Sequence, residues 1–189
     1  MNVIWILAAF LAGSLPFSVW IGRLVMGRDI RQFGDANPGA TNVLRAGGRA
    51  WFLLALFLDI SKAILPVGLA YQVVGLRGWP MVAIAIAPPL GHAISPFLGW
   101  RGGKAVAAVF GAWIGLTLWR VPLLGAVVLA LLFVLLRKSG WVVILASLIV
   151  LAYLLLFMAD PLLLAVWAGH FAIFVWKHWG ELQLVNDER

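Results

Sequence analysis

Long apolar runs constrain this chain more than any other feature of its sequence. A helix needs about 20 mainly apolar residues to cross the hydrocarbon core of a bilayer. Seven candidate segments can be placed, of which the fourth, fifth and seventh are short: 3–22, 51–74, 80–99, 105–119, 121–136, 141–159 and 161–176. With 64% hydrophobic and 11% charged residues, the chain is far more apolar than a soluble domain. The sequence therefore predicts an all-α membrane protein of about seven transmembrane helices, forming one domain over residues 1–189; a five- or six-span alternative stays open if 105–136 holds a single crossing.

Basic residues divide unequally between the two faces that seven spans would create. One face receives eleven Lys and Arg residues, whereas the other receives only Arg77 and Arg120. Because loops rich in Lys and Arg stay in the cytoplasm, the split predicts an N-terminus outside and a C-terminus in the cytoplasm. Topology thus accounts for the net charge of +7 without any nucleic-acid partner. The same charge would attract anionic lipids and phosphates.

The loop over residues 23–50 is unusually rich in Gly, Asn and Arg, and contains the string NPGATNVLR. Glycine allows backbone N–H groups to approach an anion, and the guanidinium group of arginine matches phosphate oxygens. A basic cytoplasmic turn is the plainer interpretation of the arginines alone. The whole string is too particular for a topology signal alone and favours a phosphate-binding loop, with these residues as candidates: Gly34, Asn37, Pro38, Gly39, Thr41, Asn42 and Arg45.

A second polar cluster, GHAISPFLGWRGGKAVAA, follows at residues 91–108. If Lys104 opens the next helix, then Gly102, Gly103 and the helix N-terminus would form an anion cradle on the same face as the first loop. The GxxxxGK[ST] spacing of a P-loop is absent. His92 is a candidate substrate-binding residue, although a hydrogen-bonded structural histidine is the commoner case, and His170 is expected to be a packing residue.

Asp59 and Lys62 lie inside the second apolar segment, three residues apart and on one helix face. Each charge costs about 2.5–3.5 kcal/mol at mid-membrane on insertion scales, so pairing or a polar cavity must offset it. Structural pairing and a functional role remain equally open. The chain has no Cys, and the spacing of its histidines and carboxylates predicts no metal site and no cofactor.

These residues resemble the bacterial membrane acyltransferases of the PlsY type, over about residues 13–178. GSLPFSVWIGRLVMGRDIRQFG followed by NPGATNVLR is similar to the first signature of that family. Asp59 and Lys62 match its D-x-x-K element, and GHAISPFLGWRGGKAVA is similar to its second signature. The third signature is reduced to His178-Trp179-Gly180-Glu181-Leu182. The seven-span arrangement with its N-terminus outside is also that of the family.

The resemblance implies a transfer between two anionic substrates at the cytoplasmic face of the bacterial inner membrane. An acyl phosphate would acylate the 1-hydroxyl of glycerol 3-phosphate, giving lysophosphatidic acid for phospholipid synthesis, without metal, cofactor or obligate protein partner. It further implies that Lys104 and Arg45 hold phosphate or the developing charge, and that Gly102 and Gly103 offer backbone N–H groups to the acyl phosphate. Thr41 and Asn42 would orient the acceptor, and further substrate contacts are expected from Asp35, Asn37, Gly39, His92 and His178.

Several positions depart from the family pattern. Asp35 replaces a phosphate-contacting Ser, and a carboxylate there would repel phosphate unless it is protonated or paired with an Arg. Ala105 replaces a Gly, Val143 a Ser, Glu181 an Asn and Leu184 an Arg. The alternatives to the acyltransferase are a non-catalytic or altered-specificity paralogue that binds phosphate or lipid, and, with less support, a small transporter.

Overall fold

The computed structural model describes residues 2–136 and 139–183, with the side chain of Ser139 excluded, and all the regular secondary structure in this part of the chain is helical. The α-helices are α1 (Asn2–Ser14), α2 (Phe17–Trp20), α3 (Ala40–Arg45), α4 (Arg49–Gly68), α5 (Gly78–Ala93), α6 (Val106–Thr117), α7 (Arg120–Leu136), α8 (Ser139–Tyr153) and α9 (Pro161–Gln183). Short π-helical turns at Ile21–Val25, Leu69–Val73 and Leu154–Met158 extend α2, α4 and α8, and 3₁₀ turns occur at Ile30–Gln32 and Pro96–Leu98. Leu184 and Arg189 lie outside the described residues.

Five helical units are long and apolar enough to cross a membrane: Asn2–Val25, Arg49–Val73, Gly78–Leu98, Gly140–Met158 and Pro161–Gln183. Val106–Thr117 and Arg120–Leu136 are shorter apolar helices. The segment 105–136 is therefore two helices, separated at Leu118, whose φ of +55° interrupts the helical path. The multi-pass, all-helical architecture is confirmed, whereas the count of seven crossings and the orientation of the termini stay predictions.

Helices pack closely where glycine removes a side chain. An ideal Cβ on Gly91 of α5 would lie 2.2 Å from the carbonyl oxygen of Phe10 in α1, and one on Gly111 of α6 would lie 2.1 Å from that of Ile60 in α4. Such close backbone approach is how helices associate in lipid, where the hydrophobic effect between them is lost. It brings α5 against α1, and α6 against α4, at backbone distance.

Two helix boundaries differ from those expected. The segment predicted as 80–99 ends its α-helix at Ala93, and residues 94–105 form an irregular loop around the Pro96–Leu98 turn. The segment predicted to end at 176 continues to Gln183. Lys177, His178 and Glu181 therefore lie on helix α9 and not beyond its end.

The first apolar segment is broken at Leu15–Pro16, between α1 and α2. Proline carries no backbone N–H, so the helix cannot continue its hydrogen bonding through this point. The carbonyl oxygens freed at the end of α1 accept hydrogen bonds from the loop after α5 and from α4: Ser95 Oγ donates to Ser14 O at 2.6 Å, and Lys62 Nζ donates to Leu15 O at 2.7 Å. The break thus supplies acceptors for a buried lysine.

Candidate active site

A cavity of about 810 Å³ lies between the loop after α2, the loop after α5 and helices α3 to α9. Its polar part is lined by Asp35, Asn37, Arg45, His92, Lys104 and His178. Its other wall is apolar and is contributed by side chains such as Phe52, Leu56, Phe110, Leu129, Phe133 and Val143. A cavity that is charged on one side and apolar on the other fits a molecule with a polar head and a hydrocarbon chain.

Lys104 is the charged centre of the polar part. Its Nζ donates hydrogen bonds to Asp35 Oδ2 at 2.5 Å and to Glu181 Oε1 on α9. Arg45 Nη1 donates to Asp35 Oδ1 at 2.9 Å. Asp35 is therefore paired with an Arg, the condition under which a carboxylate can remain charged here. Lys104 and Arg45, from segments far apart in the chain, share one carboxylate.

Asp35 and Lys104 each stabilise the charged form of the other. Burial opposes ionisation of Asp35, but the hydrogen bond and charge of Lys104, together with the charge of Arg45, outweigh it, so its pKa is lowered. Burial likewise opposes protonation of Lys104, yet the hydrogen bonds from Lys104 to Asp35 and Glu181 outweigh that effect, and the pKa of Lys104 is raised. Both groups are therefore charged at neutral pH.

Asparagine side chains hold these loops together. Asn42 Nδ2 donates to the carbonyl oxygen of Asn37 at 2.9 Å, and Asn42 Oδ1 accepts from Arg45 Nη1 at 3.0 Å. Asn37 Oδ1 in turn accepts from the backbone N–H of Lys104 at 3.1 Å. Asn42 is fully buried, so its side chain braces the loop rather than orienting an acceptor, which corrects the expected role. Thr41 and Gly39 line the cavity, and their contact with substrate stays a prediction.

The two glycines before Lys104 do not offer free donors. The N–H of Gly102 donates to Ala93 O at 3.1 Å, and that of Gly103 donates to His92 O at 2.9 Å. The predicted contact of these N–H groups with an acyl phosphate is therefore wrong for this conformation. An ideal Cβ on Gly102 would lie 2.0 Å from His92 O, so glycine is required because the loop passes directly over the end of α5.

Helix α6 begins at Val106, so Lys104 precedes the helix instead of opening it, and the expected cradle at the helix N-terminus does not form around Lys104. Ala105 caps the helix with a φ of +63°, in the left-handed region that favours glycine. This conformation explains why the family pattern has a glycine there. The alanine retains the turn at some cost in backbone strain.

Asp59 and Lys62 belong to a buried hydrogen-bond network next to the cavity. Lys62 Nζ donates to Asp59 Oδ1 at 2.8 Å and lies 2.8 Å from His92 Nδ1, and Ser18 Oγ donates to Asp59 Oδ2 at 2.5 Å. Together with Leu15 O, these partners use all three N–H donors of the ammonium group. Pairing therefore accounts for the two charges inside the span, and Asp59 and His92 also reach the cavity wall.

Lys177 is a site-forming residue that the sequence did not single out. Its Nζ donates to Ala93 O at 3.1 Å and to Gly102 O at 3.0 Å, which fastens α9 to the turn between α5 and Lys104. Glu181 extends the same attachment one turn further through Lys104. The helical spacing of Lys177, His178 and Glu181 is a signal that could have placed all three on one helix.

Eight of the eleven predicted site residues line one cavity: Asp35, Asn37, Gly39, Thr41, Arg45, His92, Lys104 and His178. The other three, Asn42, Gly102 and Gly103, support the loops instead. His170, expected to be a packing residue, is 1% exposed, and its Nε2 is 3.1 Å from the Ala85 carbonyl oxygen. Among residues 2–136 and 139–183, no three His, Cys, Asp or Glu side chains group as metal ligands would.

Comparison with known proteins gives consistent matches. A family model described as "Glycerol-3-phosphate acyltransferase" matches residues 3–187. A glycerol-3-phosphate acyltransferase of Anaeromyxobacter dehalogenans is 42% identical over 145 residues, covering 74% of this chain and 71% of the relative. One from Desulfovibrio desulfuricans is 37% identical over 187 residues, covering 94% and 78%. The crystal structure of PlsY, an integral membrane glycerol 3-phosphate acyltransferase, in its glycerol 3-phosphate form aligns with a TM-score of 0.89 at 28% identity, covering 97% of this chain and 91% of that one.

Proposed function

Because this chain belongs to the glycerol-3-phosphate acyltransferase family, and is a multi-pass membrane acyltransferase, we propose that it uses an acyl phosphate as donor in the cavity around Lys104. The acyl group passes to the 1-hydroxyl of glycerol 3-phosphate, which gives lysophosphatidic acid for phospholipid synthesis. The carbonyl carbon gains a bond to the glycerol oxygen and loses its bond to phosphate, which leaves as inorganic phosphate. The non-catalytic and transporter alternatives lose support.

The observation that carries the proposal is that Lys104 and Arg45 line one amphipathic cavity and both donate to Asp35. Two fixed cations can hold phosphate groups of donor and acceptor, while Phe52, Phe110 and Phe133 line the apolar wall, which suits an acyl chain. Positioning and electrostatic stabilisation of the developing oxyanion supply the rate enhancement. Lys104 and Arg45 perform this role, and Thr41 orients the acceptor.

Binding of a phosphate group requires an exchange of partners at Lys104. Asp35 and Glu181 each neutralise one positive charge, so the site carries two cations and two carboxylates. A substrate phosphate would take the place of one or both carboxylates on Lys104, whose side chain is 17% exposed. The two carboxylates compete with an anionic acceptor, whereas a site without them would not. They therefore favour an acceptor of lower charge, and glycerol is the second acceptor to test.

The experiment measures phosphate release by purified protein in micelles containing acyl phosphate and glycerol 3-phosphate. Lys104→Ala and Arg45→Ala are expected to abolish turnover. Matched controls are Arg101→Ala, three residues before Lys104, and Arg49→Ala, four residues after Arg45; both side chains are exposed and should leave turnover nearly unchanged. Turnover like that of the parent protein in the Lys104 and Arg45 variants would refute the site.

The membrane orientation belongs to the same proposal: seven crossings, the N-terminus outside, and the Lys104 cavity facing the cytoplasm of a bacterial inner membrane. The absence of Cys from the sequence makes the test direct. Single cysteines are placed at Gly27 and Gly75, which lie in the loops after the first and the second long helical unit. They are labelled with a membrane-impermeant maleimide in intact cells. Labelling at residue 75 but not at residue 27 is expected, and the reverse would invert the topology.

A further inference from the structure

A second, smaller pocket adjoins the cavity. Its volume is about 50 Å³, and residues of α6, α7, α8 and α9 form its walls. The two spaces share four lining residues, all of them apolar: Val106, Phe110, Leu129 and Val143. Among the described residues, no Lys, Arg, Asp or Glu lines the smaller pocket. It therefore continues the apolar part of the cavity and not the charged part around Lys104.

His170 brings an unused polar atom to the wall of this pocket. The residue is 1% exposed, and within the described part of the chain its Nδ1 has no hydrogen-bond partner. A buried polar atom without a partner is rare in proteins, because it costs free energy that a hydrogen bond would recover. The indole N–H of Trp167 in the same wall is already engaged, since it donates to Ser147 O at 2.8 Å. His170 Nδ1 is therefore a polar contact that the pocket keeps for a ligand.

A proline in α5 determines which ring nitrogen of His170 carries the hydrogen. Pro89 has no backbone N–H, so the carbonyl oxygen of Ala85, four residues earlier, lacks its helical donor. His170 Nε2 lies 3.1 Å from that oxygen. A carbonyl oxygen can only accept, so the hydrogen is on Nε2, and an unpaired buried charge on the ring would be costly. Nδ1 then carries a lone pair, so the matching ligand group is a donor such as a hydroxyl.

The depth of His170 follows from the rise of two helices. His170 precedes His178 of the cavity by eight residues on α9, which is about 12 Å at 1.5 Å per residue. Trp113 follows Val106 by seven residues on α6, about 10 Å, and its ring lies 5.8 Å from the His170 ring. An extended chain advances about 1.2 Å per bond. A linear chain with its head at Lys104 therefore reaches His170 at about its tenth carbon.

We propose that the pocket binds the distal part of the donor's acyl chain and that His170 Nδ1 accepts a hydrogen bond from a hydroxyl group near the tenth carbon. The site thus selects mid-chain hydroxylated acyl phosphates, an inference that rests on the proposed function. An unsubstituted chain would cover Nδ1 and leave it without a partner. A hydroxylated chain satisfies Nδ1 and its own hydroxyl with one bond, while Val109 and Val150 contact the hydrocarbon around it.

The first test compares donors in the phosphate-release assay. Octadecanoyl phosphate is measured against the same chain with a hydroxyl at carbon 10, or at carbon 3, where it lies near the head. We expect kcat/KM for the 10-hydroxy chain to exceed both others by about fivefold or more. Equal or lower kcat/KM for the 10-hydroxy chain would overturn the inference. Octanoyl phosphate, which ends short of the pocket, is the reference substrate for every variant.

Two substitutions of His170 separate the hydrogen bond from the shape of the pocket. His170→Phe keeps a ring against Trp113 but removes the acceptor, so the preference should reverse, with the 10-hydroxy chain about 10-fold poorer than the unsubstituted one. His170→Gln keeps a donor and an acceptor and should retain part of the preference. Trp176→Phe, on the same helix but 51% exposed, is the control and should leave the preference as it is. An unchanged preference in His170→Phe would exclude Nδ1 as the acceptor.

Filling the pocket tests its use by the chain directly. Gly125 of α7 lines the pocket, and an ideal Cβ there would lie 3.6 Å from Phe110 Cζ, which is ordinary contact. Gly125→Leu should lower kcat/KM for octadecanoyl phosphate by about 10-fold and leave that for octanoyl phosphate within about twofold. Val127→Leu, at a 50% exposed position of the same helix, should change neither. Equal loss with both donors, or no loss with either, would show that the chain does not enter the pocket.

A binding measurement needs no turnover. Labelling of histidine with ¹⁵N gives only three rings, and a His170 variant assigns the signal of Nδ1. We expect this signal to move when 10-hydroxyoctadecanoate is added to the micellar protein and not when octadecanoate is added. The same response to both fatty acids, as water in the pocket would give, would overturn the hydroxyl contact. Absence of octanoyl phosphate turnover would refute the proposed function, whereas turnover without any preference among the longer chains would refute this inference alone.

Discussion

Replacing Asp35 with serine should make the site bind its phosphate substrates more tightly. Asp35 lies 2.5 Å from Lys104 Nζ and 2.9 Å from Arg45 Nη1, and a substrate phosphate must compete with its carboxylate for both cations. The carboxylate also repels the incoming anion directly. Asp35→Ser removes the competition and the repulsion while leaving a small polar side chain.

The size of the effect follows from the exposure of the partners. The side chains of Asp35, Arg45 and Lys104 are 36%, 46% and 17% exposed, so these are partly solvated ion pairs. Such pairs contribute about 0.2–1 kcal/mol each. Two of them amount to about 0.4–2 kcal/mol, which corresponds to a KM for the phosphate substrate that is about 2–30-fold lower.

The assay is phosphate release at varied concentrations of each substrate, at low and high salt. Asp35→Asn, which removes the charge but keeps a carbonyl acceptor, should give most of the same decrease in KM. Asp29→Ser is the matched control, because Asp29 is also paired with arginines, Arg23 and Arg31, but lies outside the cavity wall. Salt should shrink the difference through screening. An unchanged or higher KM in Asp35→Ser, with the Asp29 variant like the parent protein, would refute the competition.

The pH dependence of the same variant has a definite sign. The pKa of Asp35 is lowered below 3.8, so the stabilisation by its ion pairs is present above 3.8 and is lost as pH falls through its lower folded value. Its carboxylate is therefore charged over the whole neutral range, and the difference in KM should persist there. The pKa of Lys104, raised above 10.5, should move down in Asp35→Ser. Burial lowers this pKa, and the variant loses the Asp35 hydrogen bond and charge that raise it. The alkaline loss of affinity should accordingly begin at lower pH.

Three further substitutions probe the loop between α5 and α6. Gly102→Ala should lower both Tm and activity, because its Cβ would lie 2.0 Å from a carbonyl oxygen, whereas Gly180→Ala, where nothing lies within 4 Å, should leave both unchanged. Lys177→Met should destabilise the protein by about 1–3 kcal/mol, since two carbonyl oxygens lose their donor, and thermal unfolding measures this directly. Ala105→Gly should raise Tm through relief of about 1–2 kcal/mol of left-handed strain; an unchanged or lower Tm would show that the strain is absent.

The helices themselves were predictable because the length of an apolar run is a local property. The segment 51–74 corresponds closely to Arg49–Gly68 and its π-helical extension at Leu69–Val73. The end of α9 was not predictable in this way, because its last turns are polar. They remain helical since Lys177 and Glu181 find partners in Gly102 and Lys104, which are about 75 residues away in the chain.

The site was predictable at the level of which segments meet, and less so at the level of what each group does. The sequence pattern indicated that glycine was needed at Gly102. It could not tell whether glycine is needed to expose its N–H to a ligand or because a side chain would not fit. Only the distance to the His92 carbonyl oxygen makes that distinction. The role of Asn42 changed for a similar reason, since its burial depends on the path of the Asn37 backbone.

Lys62 and Lys104 show why sequence alone could not separate a structural lysine from a functional one. Each has a carboxylate partner, but the side chain of Lys62 is 1% exposed and each of its three donors has a fixed acceptor, including a main-chain carbonyl group. No substrate atom can replace those partners without unfolding the break between α1 and α2. Lys104 is 17% exposed at the cavity, and both of its acceptors are side-chain carboxylates that can move aside. A lysine whose partners can be exchanged for phosphate oxygens can bind substrate, whereas one whose partners are fixed can only hold other groups, such as His92, in place.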